Sequence, residues 1–457
     1  MEVKKIRLRN IGRFSDLEIA LAPLDDLESN ITVFVGNNGS GKTSVLRSLA
    51  TSLSWLVARI QSEKGNGSPI PELVIKNGEN SAALDISVID YPDDKVLMEV
   101  FGPSSFHWTV AKARKGRKNQ FNSDYSHVTR LADEYRDILS TNEKTSLPLI
   151  AFYSVERVVI DIPLKIKDKH TFLQLDGYDK SLSQGVDFRR FFEWFRERED
   201  TENESSLSEE ILKQIRTVLG DDKETWAKLS QLKASSRDRQ LTAVRSAIYQ
   251  FMPEFSNLRV NRKPRLHMSI DKNKQSLDVA QLSQGEKSLM ALIGDIARRL
   301  AVMNPGLENP LEGDGIVLID EIDMHLHPKW QRSLVDQLSR TFPNCQFVLT
   351  THSPLVISDS NAVLTYMIGD DDEITQLPSL YGEDANSVLL DIMDTNVRNA
   401  DVNTQLNDLL DAIHDSKVPK AKILLKNLEA VLPNQNLELA KAKLLLRKQE
   451  LRVAKNN

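Results

Sequence analysis

Residues 3–9 and 15–21 alternate between apolar and polar side chains. That period of two predicts a pair of strands joined by Asn10-Ile11-Gly12-Arg13-Phe14. Ile31-Thr32-Val33-Phe34-Val35 is apolar or β-branched throughout and predicts a buried strand, and the three strands are expected to begin one sheet. From Ser44 the spacing becomes helical and stays so to about Gln61, where a stretch rich in Gly, Asn, Ser and Pro (65–71) ends it. Short β-like runs across 82–111, broken at Tyr91-Pro92-Asp93-Asp94 and Gly102-Pro103, predict an antiparallel flap. Leu147-Pro148-Leu149-Ile150-Ala151-Phe152 predicts another buried strand.

The pattern changes across 181–254. Phe188, Phe191, Phe192 and Phe195 fall at helical spacing with Trp194, and further helical segments are expected over 207–219 and 237–251. The aromatics are expected as core rather than as a ligand cage. This section is predicted to be a helical insertion between two halves of one domain. The β pattern returns at 257–280. Gln281-Leu282-Ser283-Gln284-Gly285-Glu286 then opens a long helix through Leu300. An apolar strand, Gly315-Ile316-Val317-Leu318-Ile319, ends in Asp320-Glu321. A helix over 328–341 follows, and the strand Cys345–Thr350 ends in Thr351-His352-Ser353. Strand, helix, strand in this order predicts a parallel sheet with helical crossovers. Past 386 the chain is expected to be helical. Leu424, Leu428 and Val431 share one face, and Leu437, Leu444 and Leu451 recur every seven residues beyond Pro433-Asn434-Gln435-Asn436. This amphipathic hairpin either packs on the rest of the chain or is offered to a partner.

Composition changes the picture in only a few places. At 457 residues the chain can bury more than one domain's core, and a net charge of −6 gives no global attraction to nucleic acid. The basic run Lys112-Ala113-Arg114-Lys115-Gly116-Arg117-Lys118 is therefore either a local contact for phosphate backbone or a solvated loop. A single cysteine, Cys345, excludes an intrachain disulfide and suits a reducing compartment. With no signal-peptide core and no apolar run of membrane-spanning length, a cytoplasmic location without membrane association is expected.

The chemistry centres on Gly36-Asn37-Asn38-Gly39-Ser40-Gly41-Lys42-Thr43. A strand, a glycine loop and a helix make a phosphate cradle. The glycines let backbone N–H groups turn toward an anion, and the helix N-terminus, with Ser44, adds partial positive charge. Lys42 can reach the β- and γ-phosphates of a nucleoside triphosphate, and the Thr43 hydroxyl can ligate Mg²⁺. Asp320, at the end of its strand, is where such a site needs its second Mg²⁺ contact. Glu321 beside it is placed to polarise an attacking water, and His352 to hydrogen-bond the γ-phosphate or that water.

These residues resemble a known superfamily. Gly36 to Thr43 is similar to a Walker A motif, Ile316 to Glu321 to a Walker B with its glutamate, and Thr351-His352-Ser353 to an H-switch. Leu282-Ser283-Gln284-Gly285-Glu286 is similar to the ABC signature, with Gln284 where Gly is usual. The tetrapeptide Leu182-Ser183-Gln184-Gly185 repeats that signature, but it lies in the helical insertion and is set aside in favour of Ser283. The order of the motifs resembles that of an ABC-type ATPase head, and the opening strand pair, the lack of an aromatic adenine loop and the long helical insertion resemble its RecF/SMC/OLD branch. This resemblance implies an α/β fold, a mixed or parallel sheet with helices, carrying a helical insertion and a C-terminal helical region. It divides the chain into head segments at 1–180 and 255–385, an insertion at 181–254 and a helical region at 386–457.

The resemblance further implies ATP and Mg²⁺ as cofactors and a head-to-tail homodimer or higher oligomer. Ser283 and Gly285 would close in trans on the partner's γ-phosphate, and Asp323 would lie in the dimer-contacting loop. Arg13 would approach adenine or ribose. Tyr153-Ser154-Val155-Glu156-Arg157 stands where a metal-ligating Gln is expected, so Glu156 or a backbone group is the expected substitute. Neither Asp370-Asp371-Asp372 nor His325 and His327 have the setting of a nuclease or metal centre. The head length, Gly185-Val186-Asp187-Phe188 opening a Trp-containing helix, and the helical tail resemble the PtuA family, the ATPases of Septu and some retron anti-phage systems. That implies an HNH nuclease partner whose DNA cleavage follows the nucleotide state. The alternative is a RecF-like repair ATPase that clamps DNA directly.

Overall fold

The computed structural model describes all residues except 26, 92–101, 143, 156–171, 184–185, 187, 206–236, 362, 370–372, 393–398, 434 and 457. The expectations for Glu156, Gln184, the 207–219 helix and Asp370–Asp372 therefore lie outside the described residues. Contacts divide the chain into Met1–Glu383 and Asp384–Asn457.

In the first unit, β1 (Glu2–Ile11), β2 (Phe14–Ala20) and β3 (Ile31–Gly36) lead into α1 (Lys42–Gln61). Next come β4 (Ser81–Asp90), β5 (Ser104–Ala113), α2 (Ser126–Thr141) and β6 (Leu149–Tyr153). Two helices, α3 (Phe188–Ser205) and α4 (Arg239–Phe251), precede β7 (Phe255–Asn261), β8 (His267–Lys272) and β9 (Gln275–Asp278). The unit is completed by α5 (Gln284–Met303), β10 (Gly315–Ile319), α6 (Pro328–Thr341), β11 (Cys345–Thr350), α7 (Pro354–Ser358), β12 (Leu364–Ile368) and β13 (Ile374–Gln376).

A six-stranded sheet in the order β13-β12-β3-β11-β10-β6 carries the chemistry. Its strands from β12 to β6 are parallel, and only β13 runs antiparallel to its neighbour. Every residue of β3, β6, β10 and β11 is buried, as a parallel sheet covered on both faces requires.

The single sheet expected for the first three strands is in fact two. β1 and β2 join β4 and β5 in a separate antiparallel sheet, ordered β2-β1-β4-β5. The alternation of β1 and β2 gives them one buried face each, whereas β3 has no polar face to offer solvent and enters the parallel sheet. Phe188, Phe191, Phe192, Trp194 and Phe195 are all buried in unit 1, as core. The return of β pattern at 257–280 resolves into the antiparallel sheet β7-β8-β9.

The second unit holds α8 (Ala400–His414), α9 (Val418–Val431) and α10 (Leu437–Asn456). Its core includes Leu406, Leu409, Ile413, Leu428, Leu439, Ala442 and Leu446. The heptad leucines are on the other side, since Leu437, Leu444 and Leu451 are all exposed. Leu437 and Leu439 are two positions apart, about 200° around a helix, so burying one face exposes the other. Val431 is exposed as well, although Leu428 of the same expected stripe is buried.

Candidate nucleotide-binding site

The parallel sheet brings three strand ends together. β11 lies between β3 and β10, so the Gly36–Thr43 loop, the Thr351-His352-Ser353 segment and Asp320-Glu321 emerge side by side. Gly36 closes β3 opposite Ile368, and Asn37, Asn38 and Gly39 form the exposed tip of the loop. Ser40 turns back through its N–H to the Asn37 carbonyl (3.2 Å). Gly41 precedes α1 with φ +103°, and a Cβ there would meet the Phe14 ring at 2.6 Å. The β1–β2 turn thus presses on the loop, and it places the Arg13 side chain 3.5 Å from that same point.

Lys42 folds back over the loop, its Nζ donating to the Gly36 and Asn37 carbonyls, each at 2.9 Å. Burial lowers its pKa, and Asp320, Glu321 and Asp323 oppose that shift. Thr43 Oγ1 donates to both carboxylate oxygens of Asp320, at 2.9 and 3.2 Å. Ser44 follows in the first turn of α1, its carbonyl accepting from Ser48 Oγ.

This donor set fits a magnesium nucleotide. A hydroxyl and a buried carboxylate converge where a hard cation needs oxygen ligands. A lysine parked on backbone carbonyls stands ready for an anion, and the buried Ser40 Oγ has no hydrogen-bond partner among the described residues.

Glu321 sits in the left-handed region, φ +46°, a conformation that costs a non-glycine residue about 1–2 kcal/mol. Its N–H is held by Thr350 Oγ1 at 2.7 Å, and that hydroxyl in turn donates to Asp320 Oδ1 at 2.7 Å. Asp323 accepts from Thr351 Oγ1 (2.5 Å) and from the His352 N–H (3.4 Å), tying the loop after β10 to the end of β11. The sequence reading named Thr351 only as a neighbour of His352 and did not single out Thr350. Their signal was a pair of hydroxyls at the end of an otherwise apolar strand.

Burial lowers the His352 pKa, the Lys42 ammonium lowers it further, and Asp323, Glu321 and Asp320 oppose them. Its imidazole is therefore biased toward the neutral form. The unfolded chain takes up this proton before the folded chain does. The contribution to stability is thus complete above the ordinary histidine pKa and is lost as pH falls below it. The stability difference between the wild type and His352→Ala is expected to shift against the wild type as pH falls through the ordinary histidine range, measured by thermal melting of both proteins across pH. A shift in the wild type's favour on acidification would refute the lowered pKa.

Ser283 is the N-cap of α5. Its N–H donates to Glu286 Oε2 (2.8 Å), its Oγ accepts from the Glu286 N–H (3.3 Å), and Lys272 holds the other Glu286 oxygen at 2.6 Å. At Gly285 a Cβ would lie 2.3 Å from the His325 carbonyl, so the start of α5 abuts the loop after β10 at a position only glycine fits. His327 caps α6 by accepting the Lys329 N–H (3.2 Å). A cleft of about 540 Å³ opens along α1 beside Thr43 and Ser44, and Ser183 of the set-aside tetrapeptide is among the residues that line it.

Residues 31–358 match the family described as "AAA domain, putative AbiEii toxin, Type IV TA system". The chain belongs to this AAA-domain family. Within it, this member is similar to the "Retron Ec83 probable ATPase" of Escherichia coli, with 36% identity over 78% of this chain and 69% of that protein. It is 35% identical to the "Retron Vc95 probable ATPase" of Vibrio cholerae over 78% of this chain and 72% of that one. A shorter stretch is 42% identical to the "Septu protein PtuA" of Bacillus mycoides, covering 24% of this chain and 15% of that protein. The chain is accordingly an AAA-domain family protein related to the retron probable ATPases and, over a shorter stretch, to the Septu protein PtuA. Among the described residues, no helix is long and apolar enough to cross a membrane.

Proposed function

We propose that this chain binds and hydrolyses ATP with Mg²⁺, and that its nucleotide state governs an HNH nuclease partner in anti-phage defence. The observation that carries the first part is the convergence of Thr43 Oγ1 on Asp320 at 2.9 Å, beside a Lys42 held on two loop carbonyls. Thr43 and Asp320 would hold the Mg²⁺, which when bound neutralises charge developing on the transferred phosphoryl group. Gly39, Ser40 and Gly41 would present backbone N–H groups to the phosphates, with Asn37, Asn38 and Ser44 flanking them and Arg13 alongside the nucleoside. Lys42 would exchange its carbonyl partners for the β- and γ-phosphates. Glu321 would polarise the water, and neutral His352 would hydrogen-bond that water or the γ-phosphate.

Head-to-tail pairing would supply Ser283 and Gly285 from a second copy. Support for this lies in the position of both at the N-terminus of a 20-residue helix, where partial positive charge suits an anion. The retron and Septu names of the relatives support the defence role.

The deciding experiment is co-purification of the untagged neighbouring gene product with this tagged chain, then DNA cleavage with and without ATP. A stable complex whose cleavage responds to ATP is expected. Failure to capture a partner, together with ATP-dependent DNA binding by the chain alone, would overturn this reading in favour of a DNA clamp. That second reading draws on Lys112, Lys115, Arg117 and Lys118, all exposed at the end of β5, whereas Arg114 turns inward onto the Glu79 and Ile75 carbonyls. A clamp would show DNA affinity falling steeply with salt.

A further inference from the structure

We infer that Thr350 is a positioning residue for hydrolysis, setting the aim of Asp320 and Glu321 through one hydroxyl. The inference rests on the hydrolysis reading above. Thr350 is fully buried at the end of β11, the strand between the phosphate-loop strand and the strand that ends in Asp320. A hydroxyl has one proton to give, and this one goes to Asp320 Oδ1 at 2.7 Å. Its lone pair accepts the Glu321 N–H, also at 2.7 Å. The Thr350 carbonyl then accepts the Ile322 N–H at 3.0 Å. One residue thereby anchors three consecutive positions of the neighbouring loop.

The anchoring matters because Glu321 is held at φ +46°, where an ordinary side chain does not rest unaided. Without the hydroxyl, the Glu321 backbone loses the bond that holds it there and can relax toward an ordinary conformation. Such a relaxation turns the carboxylate away from the water it must polarise. Asp320 would lose the Thr350 hydroxyl at 2.7 Å while keeping that of Thr43. The phosphate loop, which supplies most of the contacts to a nucleotide, is untouched. Chemistry should therefore suffer while binding does not.

Thr350→Val keeps the branched shape and removes only the oxygen. In the full chain, kcat for phosphate release is expected to fall roughly 10–100-fold, the range for loss of an orienting hydrogen bond next to a metal-binding group. The dissociation constant for a fluorescent ATP analogue with Mg²⁺ should stay within about threefold, the signature of an interaction used in the transition state rather than the ground state. Thr350→Ser, which keeps the hydroxyl, should restore most of the turnover. Thr350→Ala, like Ser, lacks the γ-methyl and differs from Ser only by the oxygen, so the Ser-to-Ala ratio gives the same comparison if the Val protein is poorly folded.

Wild-type turnover in both the Val and Ala proteins overturns the inference, as does equal loss in Ser and Ala, which would indicate packing alone. A wild-type chain that binds the analogue with Mg²⁺ yet releases no phosphate, alone or with its partner, overturns the hydrolysis reading and this inference with it.

Discussion

Lys42→Ala is expected to weaken binding of ATP with Mg²⁺ by roughly 100-fold or more and to abolish turnover at cellular nucleotide concentrations. The lysine makes two hydrogen bonds now, to Gly36 and Asn37, and both partners are neutral carbonyls. Exchanging them for phosphate oxygens creates charge-assisted bonds, each contributing about 1.5–3 kcal/mol. Losing two such bonds corresponds to at least two factors of ten in affinity. The fold should survive. Removing an ammonium that burial already disfavours in its charged form takes away a desolvation cost along with the two bonds. Calorimetric titration with ATP and Mg²⁺, alongside thermal melting of both proteins, checks the two halves separately. Unchanged affinity in a folded variant would mean that the loop is not the nucleotide site.

Glu321→Gln is expected to lower phosphate release by about 10²–10⁴-fold, the range for loss of a positioned general base, while leaving nucleotide affinity within a few-fold. The amide is isosteric with the acid, and the backbone anchor from Thr350 involves the main-chain N–H, which the substitution keeps. Binding and chemistry are thus separable here in a way that Lys42→Ala does not allow. If heads pair on ATP, the variant should also accumulate as an ATP-dependent dimer, read by light scattering with and without nucleotide. A pure scaffold would instead behave as wild type in both measurements. Glu321→Gly, which relieves the positive φ, should raise stability slightly while losing turnover, because the strain is kept for the aim of the side chain.

Much of this protein is local and could be read from residue order. The phosphate loop needs only a buried strand, glycines that allow unusual backbone angles and a helix start, and those features are contiguous from Ile31 to Ser44. Likewise, an apolar run ending in Asp320-Glu321 declares a strand end with acids on it. Helical spacing told the aromatics from Phe188 to Phe195 that they are core, and they are buried.

What the tertiary structure alone decided is which strands are neighbours and what each polar group touches. Local alternation cannot say that β1 and β2 leave β3 for another sheet, because sheet membership depends on partners such as β4, some seventy residues further on. Nor can a heptad say which side of α10 faces inward, since the helix carries two apolar stripes, and Leu439, Ala442 and Leu446 took the core although Leu437, Leu444 and Leu451 are the more apolar set. The insertion of β11 between β3 and β10 makes Thr350 a bridge between the two acids, a role that no spacing of hydroxyls along the chain encodes. Sequence determines the chemistry available at each strand end. The order of strands in the sheet determines which of those groups meet, because hydrogen bonds form only between atoms brought within about 3 Å.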